Sequence, residues 1–398
     1  MFDLLGSGLL SIIAFVSVMS FIVVFHELGH YWAGRRFGVH AEAFSIGFGP
    51  ELFGWTDRNG THWKVSALPL GGFVRFRGDE NAASMADPEA LAELARSRED
   101  ASTVFHFKPL WQRTIIVAAG PFANFVLAIA LFGVLGVAAG ELRLEPRIGS
   151  VIEGAPAEQA GFQSGDLIVS MDGRAVDDFR VIQQYVVTRA GAAVQFEVLR
   201  DREPLSLTVT PEARVRPDGL GGERTLGFVG LGLSENAVVE RNSVPLIQAP
   251  IYGVTRTWET VTMIGDYIGR LITGQASFEH VNGPIGIATT AGQLANSAVD
   301  GGNDPAVQVG VSDRVLALVL SMLALSALLS VALGVMNLLP VPMLDGGHLA
   351  FYAYEAILGR PASPQVQEFG FKLGLAAILC MLVVATWNDL SYLRGLFS

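Results

Sequence analysis

The chain of 398 residues is apolar and acidic: 51% of its residues are hydrophobic, 16% are charged, and the formal net charge is −11. A soluble domain of this length carries about 25% charged residues, so the composition indicates an integral membrane protein. The acidic balance excludes the basic surface that a nucleic-acid partner needs. A single cysteine, Cys380, excludes a disulfide within the chain.

Four apolar stretches are long enough to cross a bilayer. The first has no basic amino-terminal region and no small-residue cleavage site before its polar cluster. We therefore interpret it as a retained transmembrane helix and not as a signal peptide. The four stretches cover residues of about 4–30, 115–139, 315–339 and 371–387.

Basic residues orient these stretches in the membrane. No Lys or Arg precedes the first stretch, whereas Arg35 and Arg36 follow it and Lys108 and Arg113 precede the second. The positive-inside rule places such residues in the cytoplasm. The N-terminus, residues 140–312 and the C-terminus are then predicted to lie outside, and the turn between the third and fourth spans to lie inside.

The end of the first stretch reads "HELGH", from His26 to His30. Two histidines at i and i+4 project from one face of a helix and can share one metal ion, with Glu27 close enough to act as a general base. Glu and His are costly inside a membrane span and are retained there for function. The alternative is a pair of isolated structural histidines.

A catalytic zinc site has three protein ligands as a rule, so another is needed. The third span ends in "VMNLLPVPMLDGGHLAF", where Asp345 follows Pro340 and Pro342 and precedes two glycines. An unwound backbone there can turn the carboxylate inward, at the same membrane depth as the two histidines. His348 is a competing ligand, although its place after Asp345 favours a membrane-edge or supporting role. The alternative for Asp345 is a helix C-cap in a surface turn.

Residues 40–80 contain strand-like patches separated by glycines. Alternation in "FVRFR" puts Phe73 and Arg75 on one face of a strand, with Val74 and Phe76 on the other. This pattern predicts a small sheet against the membrane beside the first helix, and the alternative is an ordinary cytoplasmic hairpin. The polar segment 81–103 predicts a short exposed helix with loops.

Residues 144–235 predict a compact α+β domain. The string "GAPAEQAGFQSGDLIVSMDG" resembles a PDZ domain, and "TLGFVGLGL" at residues 225–233 stands at its far end, as in the circularly permuted bacterial arrangement. Such a domain binds an extended peptide as an added strand. Backbone amides of a Leu226–Gly227–Phe228 loop are predicted to receive a carboxylate. The alternative is a steric module without a ligand.

The segment after this domain is less informative. Residues 249–274 predict an amphipathic helix or helix pair that is too polar to span and lies along the outer membrane face. "NGPIGIA", at residues 282–288, predicts a glycine-rich turn of unassigned role.

The combination of "HELGH", "NLLPVPMLDGG", "GPFANF" at residues 120–125 and an extracytoplasmic PDZ-like domain resembles the site-2 protease family of intramembrane zinc metalloproteases. The similarity is to the bacterial RseP type and covers nearly the whole chain. One departure is that this chain has a single PDZ-like domain where the best-known member has two.

The resemblance implies the activity and its participants. It implies one Zn²⁺ per chain held by His26, His30 and Asp345, with Glu27 as the base, and substrate handling by Asn337, Pro340 and Pro342. The implied substrates are single-pass membrane proteins, such as anti-sigma factors or signal-peptide remnants, that another protease has trimmed first. The resemblance also implies that the protein lies in the bacterial inner membrane. The rival interpretations are a catalytically silent receptor and a metal permease, and the latter lacks the usual inverted repeats.

The predicted fold is a mainly α polytopic membrane protein with four transmembrane helices, an inserted α+β PDZ domain and a small membrane-associated β-sheet. The predicted segments are the first span (1–39), the cytoplasmic β region (40–107), the second span (108–143), the PDZ domain (144–235), an amphipathic helix and linker (236–312), the third span with the LDG motif (313–351) and the fourth span (352–398).

Overall fold

The structure is a computed structural model, and it describes residues 2–79, 91, 93–94, 96, 101–187, 189–217, 223–233, 239–273, 283–300 and 310–397. The short helix predicted within 81–103 lies largely outside these residues and stays a prediction.

The helices and strands are numbered here in chain order. The helices are α1 (Phe2–Arg36), α2 (Leu110–Ala138), α3 (Pro156–Gln159), α4 (Phe179–Val187), α5 (Ala249–Ile272), α6 (Pro284–Asp300), α7 (Val311–Leu338), α8 (Asp345–Leu358) and α9 (Pro364–Phe397). The strands are β1 (Ala41–Thr56), β2 (His62–Phe76), β3 (Glu141–Leu144), β4 (Ile148–Val151), β5 (Leu167–Met171), β6 (Arg174–Ala175), β7 (Val194–Arg200), β8 (Glu203–Val209), β9 (Glu212–Pro217), β10 (Glu223–Phe228), β11 (Leu231–Leu233) and β12 (Val239–Asn242).

The chain forms two compact units. The helical unit comprises Met1–Leu135, Ala249–Asp266 and Val281–Ser398. The PDZ-like unit comprises Gly136–Gln248 and Tyr267–His280.

Among the described residues, four helices of this chain are long and apolar enough to cross a membrane, namely α1, α2, α7 and α9. Their most apolar windows have mean hydropathies between 2.1 and 2.5. The predicted architecture of four membrane helices with an inserted α+β domain and a small sheet is thereby confirmed. Helix α5 is one continuous helix with several exposed large apolar side chains, namely Ile251, Val254, Trp258 and Met263.

The linker predicted over 236–312 contains a helix that the sequence interpretation missed. "GPIGIA" does not form a free turn, because it opens helix α6, which packs on α1 through the fully buried Ala291 and Ala295. The contacting residues are small, so α6 carries too little apolar bulk to be recognised by hydropathy alone. The buried Asp389 of α9 caps this helix: its carboxylate accepts hydrogen bonds from the N–H groups of Gly283 (3.0 Å) and Ile285 (3.1 Å).

The predicted third span of about 315–339 agrees with helix α7, but the predicted segment 313–351 is divided between two helices. Helix α7 ends at Leu338, and a separate helix, α8, begins at Asp345, so the predicted boundary between residues 351 and 352 falls inside α8. The physical reason lies in Pro340 and Pro342, which have no N–H to continue a helical ladder. Asp345 is therefore the first residue of a helix and not the C-cap that was the alternative.

In the helical unit, β1 and β2 form an antiparallel pair in which both strands bend. Residues 43–46 consequently pair with 72–75 on one side and with 62–65 on the other. Val74 and Phe76 are buried, whereas Arg75 on the alternate face is exposed, as the alternation predicts. Residues 72–76 form one edge of this small sheet.

The PDZ-like unit contains a four-stranded sheet in the order β6-β5-β7-β8. The late strand β11 pairs with the first core strand, β4, which is the strand order expected of the permuted arrangement. Strands β3 and β12 pair with each other, so the ordered unit extends beyond the predicted limits of 144 and 235. Its core is apolar and includes Ile148, Phe162, Ile168, Phe179, Ile182, Phe196 and Val198.

Candidate metal centre

The two histidines of "HELGH" face each other on α1. The imidazole rings of His26 and His30 have centroids 4.8 Å apart and an interplanar angle of 84°. Their Nε2 atoms are 3.2 Å apart, and His26 is buried. The spacing of four residues therefore brings two nitrogen donors to one point, as the helical period requires.

Asp345 supplies an oxygen at the same point. Its Oδ2 is 3.2 Å from His26 Nε2, and its Oδ1 is 3.5 Å from His30 Nε2. The following glycines allow this approach: a Cβ on Gly346 would collide with the carbonyl oxygen of Leu339. The break between α7 and α8 thus turns the carboxylate toward α1.

The spacing of these atoms fits a zinc ion. Bonds of about 2.0–2.1 Å in a tetrahedron place neighbouring ligand atoms about 3.3 Å apart, close to the separations of 3.2, 3.2 and 3.5 Å here. Asp345 Oδ2 is buried and, among the described residues, has no well-directed hydrogen bond, although His26 Nε2 is near. Three ligand-type side chains that converge this closely, with one buried oxygen left without a partner, are directed at a common point that a metal ion can occupy. Within the described part of the chain, only these three residues form such a group.

A cavity of about 710 Å³ opens beside this group within the helical unit. Glu27 lines it and accepts a hydrogen bond from the backbone N–H of Val74 in β2. A Cβ on Gly72 would come within 3.2 Å of Glu27 Cγ and 2.7 Å of the Ser45 carbonyl oxygen. The edge of the sheet therefore contacts the predicted base directly.

The predicted substrate residues separate into two groups. Asn337 lines the cavity, with its Nδ2 3.5 Å from His26 Nε2. Pro340 and Pro342 are not among the described residues that line it. Pro342 packs against Gly374 of α9, because a Cβ on Gly374 would collide with the Pro342 carbonyl oxygen. His348 lines the cavity and lies beside the ring of Phe371, outside the three-residue donor group.

The predicted peptide-binding residues of the PDZ-like unit lie in strand β10 and not in a loop, because Leu226, Gly227 and Phe228 pair with β9. They line a groove of about 400 Å³ together with α4. The guanidinium of Arg214 lies 3.7 Å from the centroid of the Phe228 ring. Gly227 lets the strand approach α4, since a Cβ there would collide with the Val186 carbonyl oxygen.

Sequence reasoning missed the supporting groups around the histidines. His30 Nδ1 donates to the carbonyl oxygen of Ile116 at 2.9 Å, and a Cβ on Gly120 would collide with the His30 ring. Asn124 contacts the other histidine, His26. One signal was available, since Gly120 and Asn124 in "GPFANF" have the same four-residue spacing as the two histidines.

Comparison with known proteins agrees with this site. The model of peptidase family M50 matches residues 14–381. The metalloprotease MmpA of Caulobacter vibrioides is 42% identical over 98% of this chain and 99% of its own length. Proteins named putative zinc metalloproteases from Agrobacterium fabrum and Rhizobium meliloti are 40% and 39% identical, each over 96% of both chains.

Among solved structures, the PDZ domain of an SdrC-like protein from Listeria monocytogenes matches 24% of this chain and 90% of its own, at 22% identity and a TM-score of 0.19. The PDZ-like assignment rests on the strand order described above and not on that score.

The donor group, the apolar helices and the extent of these matches lead to one conclusion. The chain is a membrane metalloprotease of the zinc type, and it belongs to peptidase family M50, the site-2 protease family.

Proposed function

We propose that this protein hydrolyses peptide bonds within the transmembrane segments of other membrane proteins. The observation that carries the proposal is the location of the predicted base and two predicted metal ligands on α1. The part of this helix from Leu9 to Arg36 is itself apolar enough to span a bilayer. A protease whose reactive groups lie in such a helix meets its substrate where the substrate also crosses the membrane.

The residues around the cavity have distinct roles in this proposal. His26, His30 and Asp345 would hold one zinc ion per chain, which would supply a Lewis acid for the scissile carbonyl and would lower the pKa of a water molecule. Glu27 accepts the proton of the attacking water and passes it to the leaving amine nitrogen. The N–H of Val74 holds the Glu27 carboxylate at the sheet edge.

A transmembrane helix must unwind before it can be cut, because its carbonyl groups are hydrogen-bonded and shielded. The edge formed by residues 72–76 borders the cavity, and the edge of a sheet is a place where an extended peptide can pair through its backbone. Asn337 has a donor and an acceptor for the same peptide. These contacts support binding of the substrate as an added strand.

The proposed partners are single-pass membrane proteins already trimmed by another protease, within the bilayer of a bacterial inner membrane. Four basic residues near α1 and α2, namely Arg35, Arg36, Lys108 and Arg113, favour a metal centre toward the cytoplasm. Both termini and residues 144–235 are then extracytoplasmic. We propose that the PDZ-like unit excludes untrimmed substrates, its groove receiving an extended segment of trimmed ones.

The test uses purified full-length protein in liposomes with a single-pass model substrate, in one form carrying a folded outer domain and in another lacking it. Mass spectrometry locates the cut. We expect chelator-sensitive cleavage inside the apolar segment of the trimmed form, and none with Glu27→Gln. Cuts confined to residues outside the apolar segment would refute intramembrane hydrolysis, and equal cleavage of both forms would refute the filter.

A further inference from the structure

Asn124 is a fully buried polar residue that the proposed chemistry does not use. It lies in α2, where its side-chain Nδ2 is 3.2 Å from His26 Nδ1. Its Oδ1 is buried and has no hydrogen-bond partner among the described residues. A buried amide oxygen without a hydrogen-bond partner raises the free energy of the folded state. Its position beside a metal ligand points to a role at the metal centre.

The protonation of His26 indicates the role of Asn124. His26 Nε2 is directed at the point shared with His30 and Asp345, so this nitrogen must be free of its proton to bind a metal. In a neutral imidazole the proton is then on Nδ1, which becomes a donor. The Nδ1–H of His26 faces Asn124 and needs the amide oxygen as its acceptor. The orientation of a side-chain amide is assigned from its hydrogen bonds. A rotation of the Asn124 amide by 180° places Oδ1 against Nδ1.

The second histidine already has the equivalent arrangement. His30 Nδ1 donates to the Ile116 carbonyl oxygen at 2.9 Å. Ile116 and Asn124 are eight residues apart on α2, so they lie on one helix face with Gly120 between them. Helix α2 runs antiparallel to α1 at this contact, since its earlier residues meet His30 and its later residue meets His26.

The position of Asn124 on this face is itself fixed. The hydroxyl of the buried Ser330 in α7 donates to the Asn124 main-chain oxygen at 2.9 Å. Gly120 leaves room for the His30 ring, which a Cβ would occupy. Helix α2, held by α7 at this point, therefore presents one acceptor position to each histidine.

We infer that Asn124 is a positioning residue for the metal centre: its side-chain oxygen accepts the Nδ1 proton of His26 and fixes the tautomer that binds zinc. Outer hydrogen bonds of this kind orient a ligating histidine and raise its basicity. The inference rests on the metal centre of the proposed function and not on where the substrate is cut.

The test measures zinc affinity of the purified full-length protein by competition with a chromophoric chelator. Asn124→Leu removes the acceptor at similar size, and Asn124→Asp keeps an acceptor. Ser326→Ala is the matched control, because the hydroxyl of this buried residue donates to the Met322 carbonyl of its own helix and, within the described residues, to no other group. We expect zinc affinity to fall about 10–100-fold with Asn124→Leu, and to stay within a few-fold of wild type with Asn124→Asp and Ser326→Ala.

Two results overturn the inference: wild-type affinity in Asn124→Leu, or equal losses in the Leu and Asp variants. The unfolding transition of each metal-free variant, compared with that of the wild type, shows whether a loss of zinc affinity comes from a folding defect. If the Leu variant does not fold, ¹⁵N spectra of the His26 ring in zinc-loaded wild type decide the matter. A hydrogen-bonded proton on Nδ1 supports the inference, and metal coordination through Nδ1 overturns it. None of these readouts depends on cleavage, so failure of the proposed function would be seen separately.

Discussion

The metal centre of the helical unit and the ion pair between Asp166 and Arg200 in the PDZ-like unit are both largely buried polar clusters. They differ in whether the carboxylate oxygens have hydrogen-bond partners. Asp166 is 1% exposed and accepts two hydrogen bonds from the Arg200 guanidinium, both at 2.8 Å, and one from the Gln163 N–H at 2.9 Å. At the metal centre, by contrast, the side chains of His26, His30 and Asp345 crowd together, and Asp345 Oδ2 has no hydrogen-bond partner in the part of the chain that the structure describes.

The difference separates a structural cluster from a functional one. A buried carboxylate whose oxygens are all paired needs no further ligand, and its removal is felt in folding. Unpaired buried atoms that converge raise the free energy of the fold until a ligand joins them. Burial alone would point the wrong way, because the Asp345 side chain is 17% exposed and the Asp166 side chain is 1% exposed, whereas the number of hydrogen-bond partners separates them correctly.

The largest expected effect tests this contrast at the metal centre. Asp345→Ala leaves only two imidazole ligands, so zinc affinity should fall by ~10³-fold or more, beyond the 10–100-fold typical of outer groups. Glu355→Ala is the control, since this acid of the same helix is already paired with Arg113 at 2.6 Å. Elemental analysis of both proteins after dialysis measures the effect. Full zinc retention in Asp345→Ala would remove this carboxylate from the site.

The next effect separates binding from chemistry within the same cluster. Glu27→Gln keeps the size of the side chain and removes the base, so cleavage of a trimmed substrate should slow by ~10²–10⁴-fold or more. Zinc content should match wild type, because both imidazoles and Asp345 remain. His26→Ala, measured in parallel, should lose zinc. A zinc-loaded Glu27→Gln protein with a wild-type rate would assign the base to another residue.

A smaller effect is expected at the satisfied cluster. Asp166→Asn weakens the pairing with a mostly buried guanidinium, and we expect it to destabilise the PDZ-like unit by about 2–3 kcal/mol, below the 3–5 kcal/mol of a fully buried pair. Hydrogen exchange of peptides from 136–248 in the full-length protein measures this. Glu153→Gln, at an exposed acid of the same unit, is the control. Loss of zinc in Asp166→Asn would contradict the separation of the two clusters.

The smallest expected effect is a pH dependence confined to the PDZ-like unit. Burial would raise the pKa of Asp166, but the hydrogen bonds from Arg200 and from the Gln163 N–H outweigh it, and the pKa is lowered. The pKa of Asp172 is lowered by the Gln195 N–H and the Tyr185 hydroxyl.

Because both folded-state pKa values lie below those of the unfolded chain, this stabilisation is complete above about pH 4–5 and is lost as the pH falls further. Exchange protection of the unit should decline from about pH 4 downward. Asp166→Asn should flatten that decline, and an unchanged slope would mean that other carboxylates cause it.

Local patterns could predict the parts of the site that lie within single elements. The i, i+4 spacing of His26 and His30 follows from the helical period, and the Pro and Gly residues around Asp345 indicate the break that turns it inward. The contacts of Val74 with Glu27 and of Asn124 with His26 depend on how separate elements align, which no periodicity encodes. Helix α6 was missed for a related reason, since the fully buried positions of its contact face are the alanines Ala291 and Ala295.

The cap that Asp389 places on α6 has a consequence for biosynthesis. The hydrogen bond from Gly283 to Asp389 joins residues 106 apart in sequence. At ~5–20 residues per second, a ribosome adds that length in roughly 5–20 s. For this time the N–H groups that open α6 must find water or another acceptor. A nascent chain can therefore contain every metal ligand before Asp389 has been added to cap α6, the helix that packs on α1.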